Sequence, residues 1–238
     1  MSTADGAVAE ARRAAGARAA ELVEPDMLVG LGTGDTAAHA VRALGERVRA
    51  GLRIAGVPTS RATAELATQV GIRLVEPDDV EALDLTIDGA DEIDPELRLV
   101  KGAGGALVRE RLVARASRRL VIVADEAKLV PRLGARRRLP VEVLAFAARW
   151  TVAHLARLGV DPQPRAGARS DGGGVLVDCA IPAEADLTAL AATLKGLPGV
   201  VDHGLFLDEA SEAFIGFGGP DAHVERRSRS RSSSSSAL

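Results

Sequence analysis

Two short segments hold the residues best suited to chemistry, Asp88-Gly89-Ala90-Asp91-Glu92-Ile93-Asp94 and Lys101-Gly102-Ala103-Gly104-Gly105-Ala106-Leu107. With Glu110 just beyond them, they put carboxylates, one ammonium and a pliant backbone into a short length of chain. A positioned carboxylate can move a proton beside a carbonyl, while a cation or backbone N–H holds the oxyanion that develops. Such chemistry needs neither a metal nor an organic cofactor. A third segment, Gly30-Leu31-Gly32-Thr33-Gly34-Asp35-Thr36, has glycines that let backbone approach an anion closely, and Thr33 and Thr36 add hydroxyls. Together the three segments point to proton transfer on a phosphorylated sugar.

Each segment also has a plainer reading. Gly-x-Gly-x-Gly is neither the dinucleotide fingerprint nor a Walker loop, since no Lys follows, and it suits a tight strand-to-helix turn without a ligand. Asp35 repels a phosphate unless its carboxylate turns away. The acidic segment could hold Mg²⁺ or Ca²⁺, or be a solvated turn, although Lys101 competes for the same carboxylates. Glu110 lies within Arg109-Glu110-Arg111, which also fits a mixed-charge helix surface.

The elements that must carry these segments alternate. Residues 7–23 have helical periodicity, and 27–31 read as a buried strand entering the glycine loop, with a helix over 37–49. Strands near 54–57, 73–75 and 83–87 and a helix over 61–70 continue a βαβ pattern, which places the acidic segment at the C-terminal end of a strand. A helix over 106–116 carries Glu110, and the apolar run 120–124 predicts a central parallel strand. After Lys128 the rhythm changes. Strands at 139–143 and 175–179, helices over 146–158 and 187–194 and a turn-rich stretch through Asp171-Gly172-Gly173-Gly174 suggest a split β-α-β-β-α-β unit. The expected fold is therefore α/β: a Rossmann-like doubly wound sheet domain (1–130 plus 205–225) with a smaller ferredoxin-like α+β domain (131–204) inserted near the C-terminal end. Residues 226–238, rich in Arg and Ser, are expected to be disordered.

Composition narrows the function classes. A chain of 238 residues that is 47% hydrophobic can bury a real core. Four Phe, one Trp and no Tyr leave too few rings for a base-stacking surface, and a net charge of −3 argues against polyanion binding, so no nucleic-acid partner is expected. The single Cys179 precludes an intrachain disulfide and suits a reducing compartment. No apolar run is long enough to span a bilayer, so no membrane partner and a cytoplasmic location are expected. Histidines 39, 154, 203 and 223 have no metal-like spacing and read as helical or surface residues. Cys179 reads as a buried small hydrophobe, Trp150 as packing for the small domain, and the Arg136–Arg138 run as a solvated face.

Several motifs, in order and in register over about residues 7–219, resemble the A-type ribose-5-phosphate isomerases. They are Gly-Leu-Gly-Thr-Gly-Asp-Thr-Ala, Asp-Gly-Ala-Asp-Glu-Ile-Asp, Lys-Gly-Ala-Gly-Gly-Ala-Leu with the Glu of Val-Arg-Glu-Arg, Val-Ala-Asp-Glu-Ala-Lys (123–128), Leu-Pro-Val-Glu-Val (139–143) and Leu-Pro-Gly-Val-Val-Asp-His-Gly-Leu-Phe (197–206). The resemblance implies a metal-free, cofactor-free aldose–ketose isomerase of the pentose phosphate pathway, a homodimer or dimer-based tetramer, interconverting ribose 5-phosphate and ribulose 5-phosphate through a cis-enediol(ate). It implies Glu110 as the base, with Lys101, Asp88 and Asp91 binding sugar oxygens, aiding ring opening and stabilising the enediolate. It further implies a substrate seat formed by Thr33, Gly34, Asp35, Thr36, Gly89, Ala90, Gly102, Ala103, Gly104 and Lys128. Arg12 or Arg13 stands where a basic residue reaches the phosphate. Asp35 departs from the usual Gly-Thr-Gly-Ser-Thr pattern, Ala103 replaces a common Gly, and the Arg/Ser tail lies outside the pattern. An amino-sugar-phosphate isomerase/deaminase and a non-catalytic sugar-phosphate sensor are the competing functions.

Overall fold

The computed structural model describes residues 3–229. The apolar runs of the first half become a sheet of β1 (Leu28–Leu31), β2 (Ala55–Pro58), β3 (Arg73–Leu74), β4 (Leu85–Asp88), β7 (Leu120–Asp125), β13 (Ala210–Phe217) and β14 (His223–Ser228). Its seven strands run in the order β14-β13-β7-β4-β1-β2-β3, and every neighbouring pair is parallel except β13 with β14. All six residues of β7 are buried, as expected of a strand covered on both faces. Val121 and Val123 pack with Val29, Leu31 and Phe214, while Ile122 and Ala124 face the opposite way to meet Phe206 and Ile215.

Helix α1 (Thr3–Ala20) lies over the first of these faces against α2 (Asp35–Arg49). The two helices touch closely because Gly16 has no side chain: a Cβ there would stand 2.7 Å from the Ala40 nitrogen. Helices α3 (Arg61–Gln69) and α4 (Leu107–Arg115) complete this half. Strands β1, β4 and β7 are mutually parallel, so their C-terminal ends Leu31, Asp88 and Asp125 open on one edge of the sheet. That edge is where open α/β sheets bind ligands.

A small antiparallel sheet joins β5 (Glu92–Ile93), β6 (Leu99–Val100) and β12 (Leu205–Phe206). A third sheet takes β8 (Leu139–Val143), β9 (Gln163–Arg169), β10 (Val175–Cys179) and β11 (Val200–His203) in the order β11-β8-β10-β9, all antiparallel. With α5 (Ala148–Arg157) and α6 (Leu187–Gly196) it makes the ferredoxin-like β-α-β-β-α-β unit around Val141, Leu155, Val177 and Leu194. The fold is thus mixed α/β, with a Rossmann-like sheet and a smaller α+β sheet. Among the described residues no helix is long and apolar enough to cross a membrane.

Several expectations are corrected. Arg226–Ser228 are not disordered: they belong to β14, where Arg226 Nε donates to Glu212 Oε2 at 2.7 Å and Arg227 Nε to Glu225 Oε1 at 2.8 Å. Composition misses this because acids on the strand and its neighbour neutralise the basic residues while the ladder satisfies the backbone. Arg229 is ordered too, its N–H donating to Ser211 O at 3.0 Å, and the remainder of that expectation, 230–238, lies outside the described residues. The turn-rich stretch before Asp171 contains the largely exposed edge strand β9, whose Gln-Pro-Arg-Ala-Gly-Ala-Arg sequence lacks apolar alternation. Trp150 does not pack inside the small domain: it is 72% exposed, beside Phe146 at 86%. His203 is not a surface residue but is buried at the end of β11, where burial and the nearby Arg111 guanidinium lower its pKa to about 4. Cys179 is buried as expected, and burial raises its thiol pKa to about 12.

Candidate active site

The Asp88 carboxylate, last residue of β4, is the floor of the site. Its Oδ1 accepts from Thr33 N at 3.0 Å and Gly89 N at 2.7 Å, so one carboxylate ties the first glycine loop to the acidic loop. This requires Gly32, where a Cβ would fall 2.2 Å from that oxygen. Lys101 follows β6 and is held by its own N–H, donated to Gly204 O at 2.9 Å. Its side chain is 1% exposed. Nζ stands 2.6 Å from Gly89 O, 3.0 Å from Asp88 Oδ2 and 3.2 Å from Glu110 Oε1, and 5.5 Å from the centre of the Phe206 ring. Burial by itself lowers an ammonium's pKa, but Asp88, Glu110 and Asp91 outweigh it and hold Lys101 above its ordinary value.

Glu110 enters from the first turn of α4 and is buried. Oε1 is held by Lys101, whereas Oε2 is buried with no hydrogen-bond partner among the described residues. Burial raises its pKa, Lys101 opposes and Asp88 assists, leaving it pushed up to about 8. A carboxyl with one oxygen anchored and the other free, titrating near neutrality, is suited to accept and return a proton.

The other end of the site is cationic. Gly34 stands before α2 at φ 107°, a conformation that favours glycine, and the first N–H groups of the helix are left for an anion. Arg12 from α1 donates Nε to Asp125 Oδ2 at 2.7 Å and Nη1 to Asp35 Oδ2 at 3.1 Å. Lys128 closes a 3₁₀ turn (Glu126–Lys128) just after β7. Asp35 is 84% exposed and turns its carboxylate to Arg12, so it offsets part of the arginine's charge. Asp35→Ser is therefore expected to lower the KM of a sugar phosphate by about two- to fivefold at low salt, an effect of ~0.5–1 kcal/mol that fades as salt rises. An unchanged or raised KM would show that Asp35 does not hold Arg12 back.

A cavity of about 200 Å³ joins the two ends. Thr33, Gly34, Asp35, Thr36, Gly89, Ala90, Asp91, Lys101, Gly102, Ala103, Gly104, Glu110, Lys128 and Arg12 line it. Asp88 lies beneath. Arg13 is not brought in: it points out and pairs with Glu10 at 2.6 Å, one helical turn away on α1. The Thr33 hydroxyl is not offered to the cavity either, because it bonds Thr59, Ser60 and Thr63 at 2.7, 2.9 and 3.2 Å. The acidic segment is not a calcium loop. Asp91 Oδ2 accepts from Ala103 N at 2.8 Å, and Glu92 takes the N–H groups of Gly134, Arg136 and Arg137. Asp94 pairs with Arg98, and the Lys101 ammonium sits where a cation would compete for Asp88 and Glu110.

The sequence profile described as Ribose 5-phosphate isomerase A (phosphoriboisomerase A) matches residues 55–219. A ribose-5-phosphate isomerase A of Thermomicrobium roseum is 55% identical over 204 residues, covering 83% of this chain and 86% of its own. That of Caulobacter vibrioides is 52% identical over 215 residues, covering 86% and 93%. The chain belongs to the ribose 5-phosphate isomerase A family. Among solved structures, a D-ribose-5-phosphate isomerase in complex with phospho-erythronic acid superposes with TM-score 0.88 at 33% identity, over 93% of this chain and 99% of that one. The ribose 5-phosphate isomerase A of Methanocaldococcus jannaschii gives 0.86 at 32%, over 92% and 98%. Within this family member, two residues near the site escape sequence reasoning. Asp125 carries a legible sign, an acid ending a buried strand as Asp88 does. Arg165 carries none, because it reaches the glycine loop from the other sheet, 62 residues away, donating to Ala103 O at 2.7 Å.

Proposed function

We propose that this chain interconverts D-ribose 5-phosphate and D-ribulose 5-phosphate, with Glu110 moving a proton between C2 and C1 through a cis-enediol(ate). The observation that carries the reading is the buried Glu110 Oε2, without a hydrogen-bond partner among the described residues, beside an Oε1 fixed on Lys101. In the aldose-to-ketose direction the carboxylate takes the C2 proton and the electron pair moves onto O1. The proton returns at C1, while the hydroxyl proton of O2 passes to O1 across the cis-enediol(ate). Lys101 keeps its proton, because its pKa is raised, and so serves as a fixed cation facing the developing charge. Asp91 lies at the cavity wall among the sugar hydroxyls, and Asp88 acts through Lys101. Arg12, Lys128 and the start of α2 take the phosphate.

A coupled assay of ribose 5-phosphate conversion in the presence of EDTA tests the reading. Turnover is expected to persist under chelation; activity that requires added metal, or ammonia released from an amino-sugar phosphate in preference to pentose isomerisation, would overturn it. The base must be ionised in the free enzyme, so kcat/KM is expected to rise with pH and level off above about 8. A profile flat from pH 5 to 9 would remove Glu110 as the titrating base.

A further inference from the structure

The loop that carries Gly102, Ala103 and Gly104 is a β-turn closed by Gly105 N donating to Gly102 O at 2.9 Å. A turn of this kind leaves its central peptide, Ala103 C=O with Gly104 N–H, outside its own hydrogen bond. Type I and type II turns differ by a flip of that peptide, and glycine at the third position makes both accessible. Here Gly104 does not take positive φ, so the turn is not type II. What holds the central peptide is Arg165. Its guanidinium is forked on Asp178 by Nε and Nη2 at 2.7 Å each, and its Nη1 donates to Ala103 O at 2.7 Å. Because a trans peptide sets C=O and N–H on opposite sides, fixing Ala103 O toward Arg165 turns the Gly104 N–H away from it. Gly104 lines the active-site cavity, and its N–H has no acceptor among the described residues. The hairpin bearing Arg165 is itself docked at a second point, where Asp171 accepts from Arg61 N at 2.8 Å and pairs with Arg109 at 3.5 Å.

We infer that Arg165, from the small α+β sheet, is a positioning residue that locks the 102–105 turn with the Gly104 N–H aimed at the substrate's oxygens. This rests on the isomerase reading and gives the small sheet a part in the reaction. The N–H adds to Lys101 as a donor to the charge that develops on O1, and without the brace the peptide flips and presents a carbonyl oxygen instead.

The test compares Arg165→Met, Arg165→Lys and Asp178→Asn with the parent, using phospho-erythronic acid and inorganic phosphate as inhibitors. Losing one oxyanion donor outright costs about 10²–10³-fold, and loosening one is expected to lower kcat of Arg165→Met about tenfold with KM within about threefold. Its affinity for phospho-erythronic acid should fall about tenfold while that for phosphate stays within about twofold, because phosphate does not reach the turn. Arg165→Lys, which can still donate to Ala103 O, should recover part of kcat, and Asp178→Asn should fall between parent and Arg165→Met. Equal losses for both inhibitors would mean general loosening and overturn the proposal, as would no loss for either. Asp178 is partly exposed, so Arg165→Met strands no buried charge. Parent turnover is measured first. A parent without it defeats the isomerase reading, while the inhibitor comparison still decides whether Arg165 holds the turn.

Discussion

Glu110→Gln should lower kcat by about 10²–10⁴-fold, the range supplied by one positioned base, with KM for ribose 5-phosphate nearly unchanged. The amide keeps an oxygen for Lys101 and nearly the same shape, so the cavity stays formed while the proton acceptor is gone. Exchange of solvent deuterium into the sugar at C1 and C2, followed by NMR, should slow in parallel. The same change should alter stability with the opposite sign. Glu110 has a folded pKa raised above its unfolded value, so between about 4.5 and 8 the folded state holds a proton that the unfolded state has released. Parent stability therefore falls as pH rises through that window, and Glu110→Gln removes this part of the fall. Turnover within about tenfold of the parent would place the base elsewhere.

Lys101→Met is expected to cost about 3–5 kcal/mol of stability, as when one partner of a buried ion pair is removed, together with about 10²–10³-fold in kcat. The loss arises because the Asp88 carboxylate would then be buried without its cation, beside a Glu110 that already holds its proton at pH 7. The folded pKa of Lys101 is raised, so its contribution is fully present below the unfolded value of about 10.5 and is lost as pH rises through the folded one. Denaturant unfolding at pH 7 measures the cost. Adding Asp88→Asn to Lys101→Met should restore part of it, because the stranded carboxylate is gone while an amide oxygen remains for the Thr33 and Gly89 N–H groups. A cost below about 1 kcal/mol, the range of exposed pairs, would show that water reaches the ammonium.

Local order along the chain was legible from residue types. The apolar runs that became β1 and β7 could be read because a strand buried on both faces needs a largely apolar segment, and the glycine loop before α2 because its backbone conformation needs glycine. The clustering of Asp88, Lys101 and Glu110 follows from short separations along the chain, Lys101 and Glu110 being nine positions apart. β9 and the start of the Arg/Ser segment were not legible. An exposed edge strand carries little apolar pattern, and β14 depends on partners in β13.

Residue types and their order already carry the family, the α/β succession of elements and the set of side chains available for proton transfer. How those side chains are used depends on packing between distant segments. It turned Asp35 onto Arg12 and Arg13 onto Glu10, drew the Thr33 hydroxyl into a knot of Thr59, Ser60 and Thr63, and left one oxygen of Glu110 free. It also brought Arg12 to Asp125 across 113 residues and Arg165 to Ala103 across 62. The physical reason is that a charge or hydroxyl is neutralised, desolvated or aimed by whatever packs against it, and those neighbours come from distant segments whose meeting no local pattern encodes.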